Sequence, residues 1–431
     1  MIFQRHRAEL QNGLRLVTIE TPHLHSALVA VHVRVGSRHE TAATNGVSHF
    51  LEHVIFRGSE RFADSLEVNG LIEDAGGSLN GMTQRDQSHY DTPIHPRHLG
   101  LGLDVLGDLV SRPRFLGVEL EREIILEEMM DELDMAGRDI DVGNLAMRLM
   151  FGGHPLGLKV AGTPESVRAL TKADLRAHHA RFYGAANMVV SVAGPVRHEE
   201  VLPMVESAFA SLGRGEAAVE MAPVILPNGP HIELVDLDES QIDLCLSFFG
   251  PPETHPDHLP LMLVRALLDD NITSWLQRDI VETRALAYSV RAGMELFSDA
   301  GTFDIEASCS PAKAMGVIEA VLSLLARLRE KPVPREELDR VLMRRRVSLD
   351  FHCDDLATLV NCFGAPELFR APESFEETLA AMARVSPQQI QEVARRTFSA
   401  DKLHLCAVGP RVKRLKKSIL ADIARALPRA R

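Results

Sequence analysis

Cysteine is scarce in this chain, and the few cysteines follow no pairing pattern. The 431 residues include five, at positions 245, 309, 353, 362 and 406, and no Cys-x-x-Cys pair is present. An odd number without paired spacing argues against a disulfide framework or a cysteine zinc site. Buried free thiols in a reducing compartment fit this pattern better.

Long apolar runs and targeting signals are also missing. The N-terminal segment MIFQRHRAELQNGLRLV has no apolar core and no Ala-x-Ala cleavage pattern. No run approaches the roughly 20 apolar residues that a membrane-spanning helix needs. We therefore expect a cytoplasmic protein that makes no membrane contact.

Positive charge is in deficit, since 47 lysines and arginines face 60 acidic residues and the net charge is −13. A nucleic-acid surface needs clustered lysine and arginine, so no nucleic-acid partner is expected. The acidic balance is compatible with basic peptide substrates, although a solvated acidic surface is the simpler interpretation. The chain is longer than one hydrophobic core usually serves, which predicts two domains.

The two halves of the chain repeat one pattern at an offset of about 215 residues. Each half ends with a Ser/Thr N-cap, an amphipathic helix, an aromatic residue and an apolar strand that runs into Gly-Pro, at 171–195 and again at 386–410. Duplicated domains are therefore predicted at 1–212 and 231–431, joined by a Gly- and Pro-rich linker at 213–230.

Periodicity within the first half predicts a mixture of strands and helices. A strand is expected at 26–35, a helix at 44–57, a strand or hairpin at 78–91, and helices at 96–111 and 116–135. This mixture predicts an α+β fold with helices packed against one face of a sheet.

A cluster of metal-binding residue types stands out in the first predicted helix. His49 and His53 lie four residues apart, so their imidazoles share one helix face and can hold one metal ion. Glu52 flanks the same face and can accept a proton from a water molecule that zinc has acidified. The order His-x-x-Glu-His is the inverzincin signature.

A catalytic zinc usually has three protein ligands and one open position, so a third ligand is required. The predicted helix at 116–135 is crowded with acids, most of which form a solvated face. Glu121, Glu128 and Glu132 recur at helical spacing, and Glu128 lies among Ile125 and two methionines. Glu128 is therefore the candidate for turning inward.

These residues together resemble the M16 metallopeptidases (pitrilysin, insulin-degrading enzyme and mitochondrial processing peptidase), in the short M16B form. In that family a glutamate ligand follows the His-x-x-Glu-His motif by about 75 residues, as Glu128 follows His53. The resemblance implies one zinc per chain, held by His49, His53 and Glu128. It also implies that Glu121 supports the ligands from behind; Glu127 is the alternative third ligand, one residue away.

The resemblance covers nearly the whole chain and implies two related α+β domains, each with a mostly antiparallel sheet, that enclose a chamber. The segment Asn80, Gly81, Met82 and Thr83 resembles the family's edge strand, to which a substrate peptide adds as an extra strand.

The second half has no His-x-x-Glu-His motif and departs from the family at one more point. The resemblance implies an Arg–Tyr pair seven residues apart that holds the substrate and its oxyanion. Tyr288 matches the tyrosine, but Val281 stands at the arginine position and Ala285 replaces the usual glycine. Three explanations are open: Arg278 substitutes for the missing arginine, the site is weakly active on its own, or a related subunit in a homodimer or heterodimer supplies the pair. We favour the partner subunit. The alternative interpretation is that Tyr288 is a strand residue packed in the hydrophobic core.

The motifs predict a metalloendopeptidase acting on peptides or unfolded segments, with Glu52 and Tyr288 as catalytic residues. A non-catalytic scaffold subunit of a processing-peptidase-like complex is the main alternative, and a structural zinc protein is the other. The complete set of ligands and base argues against the scaffold. A three-ligand site argues against structural zinc, which usually has four ligands.

Overall fold

The computed structural model describes residues 3–225 and 228–429. The strands within these ranges are β1 (Gln4–Glu9), β2 (Arg15–Glu20), β3 (Ala27–Val33), β4 (Asn80–Thr83), β5 (Ser88–Ile94), β6 (Met188–Gly194), β7 (His231–Asp236), β8 (Ile242–Gly250), β9 (Ser289–Gly293), β10 (Gly301–Cys309) and β11 (Leu403–Gly409).

The α-helices in the same ranges are α1 (Val47–Ile55), α2 (Ser65–Asp74), α3 (Leu99–Ser111), α4 (Val118–Glu128), α5 (Val142–Phe151), α6 (Pro164–Ala169), α7 (Lys172–Phe182), α8 (His198–Ala208), α9 (His258–Leu268), α10 (Ala314–Glu330), α11 (Arg335–His352), α12 (Leu356–Phe363), α13 (Phe375–Ala383), α14 (Pro387–Thr397) and α15 (Lys416–Ala426). A π-helical segment, Gln277–Thr283, precedes β9.

The chain divides into two compact units, and each includes a segment from the other half of the sequence. The first consists of Met1–Met130, Leu158–Met221 and Ser348–Glu373, and the second of Asp131–Gly157, Ala222–Val347 and Ser374–Arg431. The division into 1–212, 213–230 and 231–431 stays a prediction about the duplicated halves. Leu226 and Pro227 of that linker lie outside the described residues.

The sheet of the first unit has the strand order β1-β2-β6-β3-β5-β4. Its neighbouring strands are antiparallel except for the parallel pair β2 and β6. β3 and β6 are buried along their whole length, as expected for strands that are covered on both faces. Helices α3 and α8 pack on this sheet, and so does α12, which comes from the second half of the chain.

The sheet of the second unit has the order β7-β11-β8-β10-β9 and is also mostly antiparallel. Alternate side chains of β8 face opposite layers: Leu244 and Leu246 join the core formed with α9, α10 and α14, whereas Cys245 packs with Leu145 and Ala146 of α5. The predicted α+β fold is confirmed, and one helix from the other half of the chain adds a second covering layer.

The repeated pattern at 171–195 and 386–410 is confirmed element by element. Thr171 and Ser386 each accept a hydrogen bond from a backbone N–H of the helix that follows, and each forms a capping box. The two helices, α7 and α14, lead into the fully buried strands β6 and β11. The predicted helix at 116–135 is shorter than expected, because α4 ends at Glu128 and a 3₁₀ turn follows.

The cysteines are free thiols, as the sequence predicted. Burial raises the pKa of Cys406 to about 12, so this thiol stays protonated at neutral pH. Across residues 3–225 and 228–429, no helix combines the length and the apolar character that crossing a membrane requires.

A backbone feature at Ala285 leads to a stability prediction. Ala285 has φ of 46°, a left-handed conformation that favours glycine. Ala285→Gly should therefore raise the free energy of unfolding by up to about 1 kcal/mol. Ala380→Gly, at an exposed position inside α13, is the matched control and should lower it by about 0.5–1 kcal/mol. Denaturant unfolding measures both free energies. A change of the same sign in the two variants would contradict the left-handed backbone conformation assigned to Ala285.

Candidate metal centre

Helix α1 begins at a backbone arrangement that a buried carboxylate stabilises. Glu40 accepts hydrogen bonds from the backbone N–H groups of Gly46 (2.7 Å) and Ser48 (2.8 Å), which satisfies donors that a helix start leaves unpaired. Gly46 has φ of 90°, and a Cβ there would lie 2.6 Å from the carbonyl oxygen of Ala161. The start of α1 is therefore fixed against residues 161–162.

The apolar side of α1 determines which way the motif faces. Phe50, Leu51, Val54 and Ile55 are fully buried. The remaining side carries His49, Glu52 and His53, which are partly exposed. Helical periodicity thus places these polar side chains together at the surface of the first unit.

The structure brings three of the predicted ligand atoms together. The Nε2 atoms of His49 and His53 lie 3.3 Å apart. Oε2 of Glu128 lies 3.6 Å from the His53 nitrogen and 4.0 Å from the His49 nitrogen. Within the described residues, no other group of three or more His, Cys, Asp or Glu side chains converges in this way. Glu127 is exposed and is not part of the group.

Two of these three distances match those around a zinc ion, and the 4.0 Å between His49 and Glu128 is longer by about 0.4 Å. Tetrahedral zinc with bonds of about 2.0–2.2 Å separates neighbouring ligand atoms by roughly 3.3–3.6 Å. Burial and the neighbouring His53 lower the pKa of His49 to about 4, which keeps this imidazole in the neutral, metal-binding form. Glu128 remains half exposed at 49%, so the three atoms form an open site and not a closed cage.

Glu121 contacts the ring nitrogen of His53 that does not face the other ligand atoms. Its Oε2 lies 2.9 Å from His53 Nδ1, and its side chain is 4% exposed. The other oxygen, Oε1, accepts a hydrogen bond from Nε of Arg57. Sequence reasoning missed Arg57, although its position four residues after His53 was a usable signal.

A second contact joins α4 to α1. The guanidinium carbon of Arg122 lies 5.2 Å from the centre of the Phe50 ring, a cation–π distance. Arg122 also donates to the carbonyl oxygen of Val167. The helix that carries Glu121 and Glu128 is therefore anchored to α1 through Phe50 and to α6 through Val167.

Glu52 is held beside the ligand cluster by the strand predicted to bind substrate. The Thr83 hydroxyl donates to Glu52 Oε2 at 2.7 Å. Burial raises the pKa of Glu52, and this hydrogen bond partly opposes the shift. Gly81 is the point of closest approach, since a Cβ there would lie 2.7 Å from Glu52 Oε1.

The segment predicted to be an edge strand, β4, does lie at the edge of the sheet. β4 contains Asn80, Gly81, Met82 and Thr83, ends the sheet order of the first unit, and pairs only with β5 among the described strands. Asn80 and Met82 are exposed, and Asn80 donates to Asp91 on β5. One side of this backbone is therefore free of sheet pairing.

The residues matched to the Arg–Tyr pair lie in the second unit. Tyr288 is 86% exposed, so the alternative that it is a core strand residue is wrong. Val281 packs against the hydrophobic core of this unit. Arg278 is exposed and lines a cavity of the second unit. A catalytic role for Tyr288 stays a prediction.

Two family descriptions match most of this chain. Residues 15–163 match "Insulinase (Peptidase family M16)", and residues 169–344 match "Peptidase M16 inactive domain". The chain therefore belongs to peptidase family M16.

Named relatives agree with this assignment. An uncharacterised zinc protease of Mycobacterium leprae is 31% identical over 94% of this chain and 91% of its own length. The zinc protease YmxG of Bacillus subtilis, also uncharacterised, is 28% identical over 92% of this chain and 96% of its own. A probable mitochondrial-processing peptidase subunit beta of Arabidopsis thaliana is 28% identical over 93% of this chain and 77% of its own.

Solved structures show the same fold. A protease from Helicobacter pylori superposes with a TM-score of 0.87 at 20% identity, covering 95% of this chain and 100% of that one. A peptidase M16 inactive domain from Pseudomonas fluorescens gives 0.86 at 20% identity, covering 94% and 98%.

The geometry predicts which glutamate binds the metal. Glu128→Ala should reduce bound zinc strongly, because it removes one of three ligands. Glu127→Ala is the matched control one residue away and should keep zinc at the wild-type level. Metal counting by mass spectrometry on purified protein checks both, and the reverse pattern would assign the site to Glu127.

Proposed function

We propose that this chain is a zinc-dependent metalloendopeptidase that hydrolyses peptides or unfolded segments, with one zinc bound by His49, His53 and Glu128. The observation that carries the proposal is the convergence of these three ligand atoms with Glu52 beside them. The zinc-protease names of the relatives support it.

Glu52 is the proposed general base. Zinc bound at this site would act as a Lewis acid and lower the pKa of a water molecule to about 7. Glu52 would accept the proton from that water and later pass it to the leaving amine. Because Thr83 donates to Oε2, Oε1 is left to receive the proton.

Substrate would bind along β4. An extended peptide can pair with the free backbone edge of Asn80, Gly81, Met82 and Thr83, and backbone pairing makes few demands on peptide sequence. Glu52 touches this strand at Gly81 and Thr83, so a peptide paired there would pass close to the base.

Tyr288 is proposed to stabilise the oxyanion, together with an arginine from a related subunit in a homodimer or heterodimer. Val281 at the expected arginine position motivates the partner. One of the relatives is itself a probable beta subunit of a mitochondrial-processing peptidase, which supports assembly with a related chain.

The central test uses Glu52→Gln. This variant should keep one zinc per chain and lose about 10²–10⁴-fold in hydrolysis of a quenched fluorescent peptide, because the base is removed and the ligands are intact. Glu123→Gln, an exposed position on α4, is the control and should leave turnover unchanged. Zinc without turnover in the unmodified chain would favour the scaffold role or a missing partner, and absence of bound zinc would refute the proposal.

A second test addresses how Glu52 is positioned. Gly81→Ala places a Cβ against Glu52 Oε1 and should lower kcat/KM about 10- to 100-fold while zinc content stays the same. Gly70→Ala, where a Cβ meets no atom within 4 Å, is the control. Unchanged turnover in Gly81→Ala would show that the contact does not position the base.

A further inference from the structure

A small cavity in the second unit is lined by arginines that have no acidic partner. It has a volume of about 280 Å³ and lies between the segment 273–278 and the first half of α11. Arg278 lines it from one side, and Arg340 and Arg344 from the other. Arg344 is oriented by a hydrogen bond to the Thr273 hydroxyl at 2.9 Å.

Three other arginines of this unit are neutralised, in contrast to those of the lining. Arg265 pairs with Asp270, Arg327 with Glu337 and Arg335 with Asp339. Glu337 is the single acid in the lining, and it also accepts from the Trp275 ring nitrogen at 2.7 Å. Within the described residues, the three lining arginines have no carboxylate within ion-pair distance, so the cavity keeps an excess of positive charge.

This excess is mildly unfavourable for the protein in the absence of a ligand, since Arg278 and Arg340 are exposed and solvent screens part of the repulsion. Arg340 and Arg344 are four residues apart on α11, where like charges destabilise a helix. The chain as a whole carries a net charge of −13, so unneutralised arginines gathered in one cavity depart from its average character. A bound anion would remove the repulsion.

We propose that this cavity binds a small phosphate-bearing anion of the size of inorganic diphosphate. Guanidinium groups bind phosphate through two parallel hydrogen bonds, and three of them match a multivalent anion better than a monocarboxylate. The volume lies just below the roughly 300–1,000 Å³ of sites for drug-sized ligands, which favours a compact anion. The cavity lies within the second unit, whereas the three proposed zinc ligands belong to the first.

Trp275 provides a direct readout. It lines the cavity, it is the only tryptophan in the chain, and the Arg327 guanidinium stacks on its ring at 3.9 Å. Titration of the full-length chain with inorganic diphosphate, at constant ionic strength, should change tryptophan emission saturably. Orthophosphate should bind more weakly, and acetate should have no effect at the same ionic strength.

Variants test whether the arginines are responsible. Replacing both Arg340 and Arg344 with alanine should weaken diphosphate binding at least about tenfold, because each charged hydrogen bond contributes strongly. Arg278→Gln, on a separate element, should weaken it independently if the double variant folds poorly. Arg346→Ala, on α11 but outside the lining, is the control and should bind like the unmodified protein.

Removing zinc with a chelator beforehand should not alter the emission response, which separates cavity binding from chelation of the metal by diphosphate. The proposal is overturned by a lack of saturable change up to about 10 mM diphosphate. An equal response to acetate, or unaltered affinity in the arginine variants, would overturn it as well.

Discussion

The buried carboxylate of Glu121 fixes the geometry on which the candidate metal centre depends. An ionised carboxylate can only accept hydrogen bonds, so the Nδ1 atom of His53 carries the hydrogen, and in the neutral imidazole Nε2 then keeps its lone pair. Arg57 compensates the negative charge, because a lone buried carboxylate would be costly. The metal-facing atom of His53 is therefore oriented by protein groups alone.

His49 is held by different means. Its Nδ1 atom is buried and has no hydrogen-bond partner among the described residues. Packing of α1 fixes the backbone that carries this ring, since the flanking side chains Phe50 and Ser48 are fully buried. The two histidines thus depend on separate constraints, one electrostatic and one steric.

The sequence was informative wherever the relevant signal was local. Four-residue spacing placed His49 and His53 on one helix face, seven-residue spacing placed Glu121 and Glu128 on one face of α4, and the capping residues Thr171 and Ser386 marked two helix starts. Each of these patterns is a property of one helix, so it survives without knowledge of the tertiary fold.

Tertiary partners were not predictable in the same way. The apolar face of α5 shows that Leu145 and Ala146 are buried, but periodicity does not say against which strand. Their contact with Cys245 and Cys406 joins residues about a hundred or more positions apart. The grouping of Arg340 and Arg344 at a cavity was not predictable either, because on the sequence alone α11 resembles an ordinary charged surface helix.

The position of Glu52 combines both kinds of constraint. Its place on α1 follows from helical spacing, whereas its contacts with Gly81 and Thr83 arise from a strand that follows in the chain. Burial raises its pKa, which makes the carboxylate a stronger base, and the Thr83 hydroxyl donates a hydrogen bond to one of its two oxygens. Glycine at residue 81 is therefore required for the position of the base, since any larger residue would occupy the space that the Glu52 carboxylate needs.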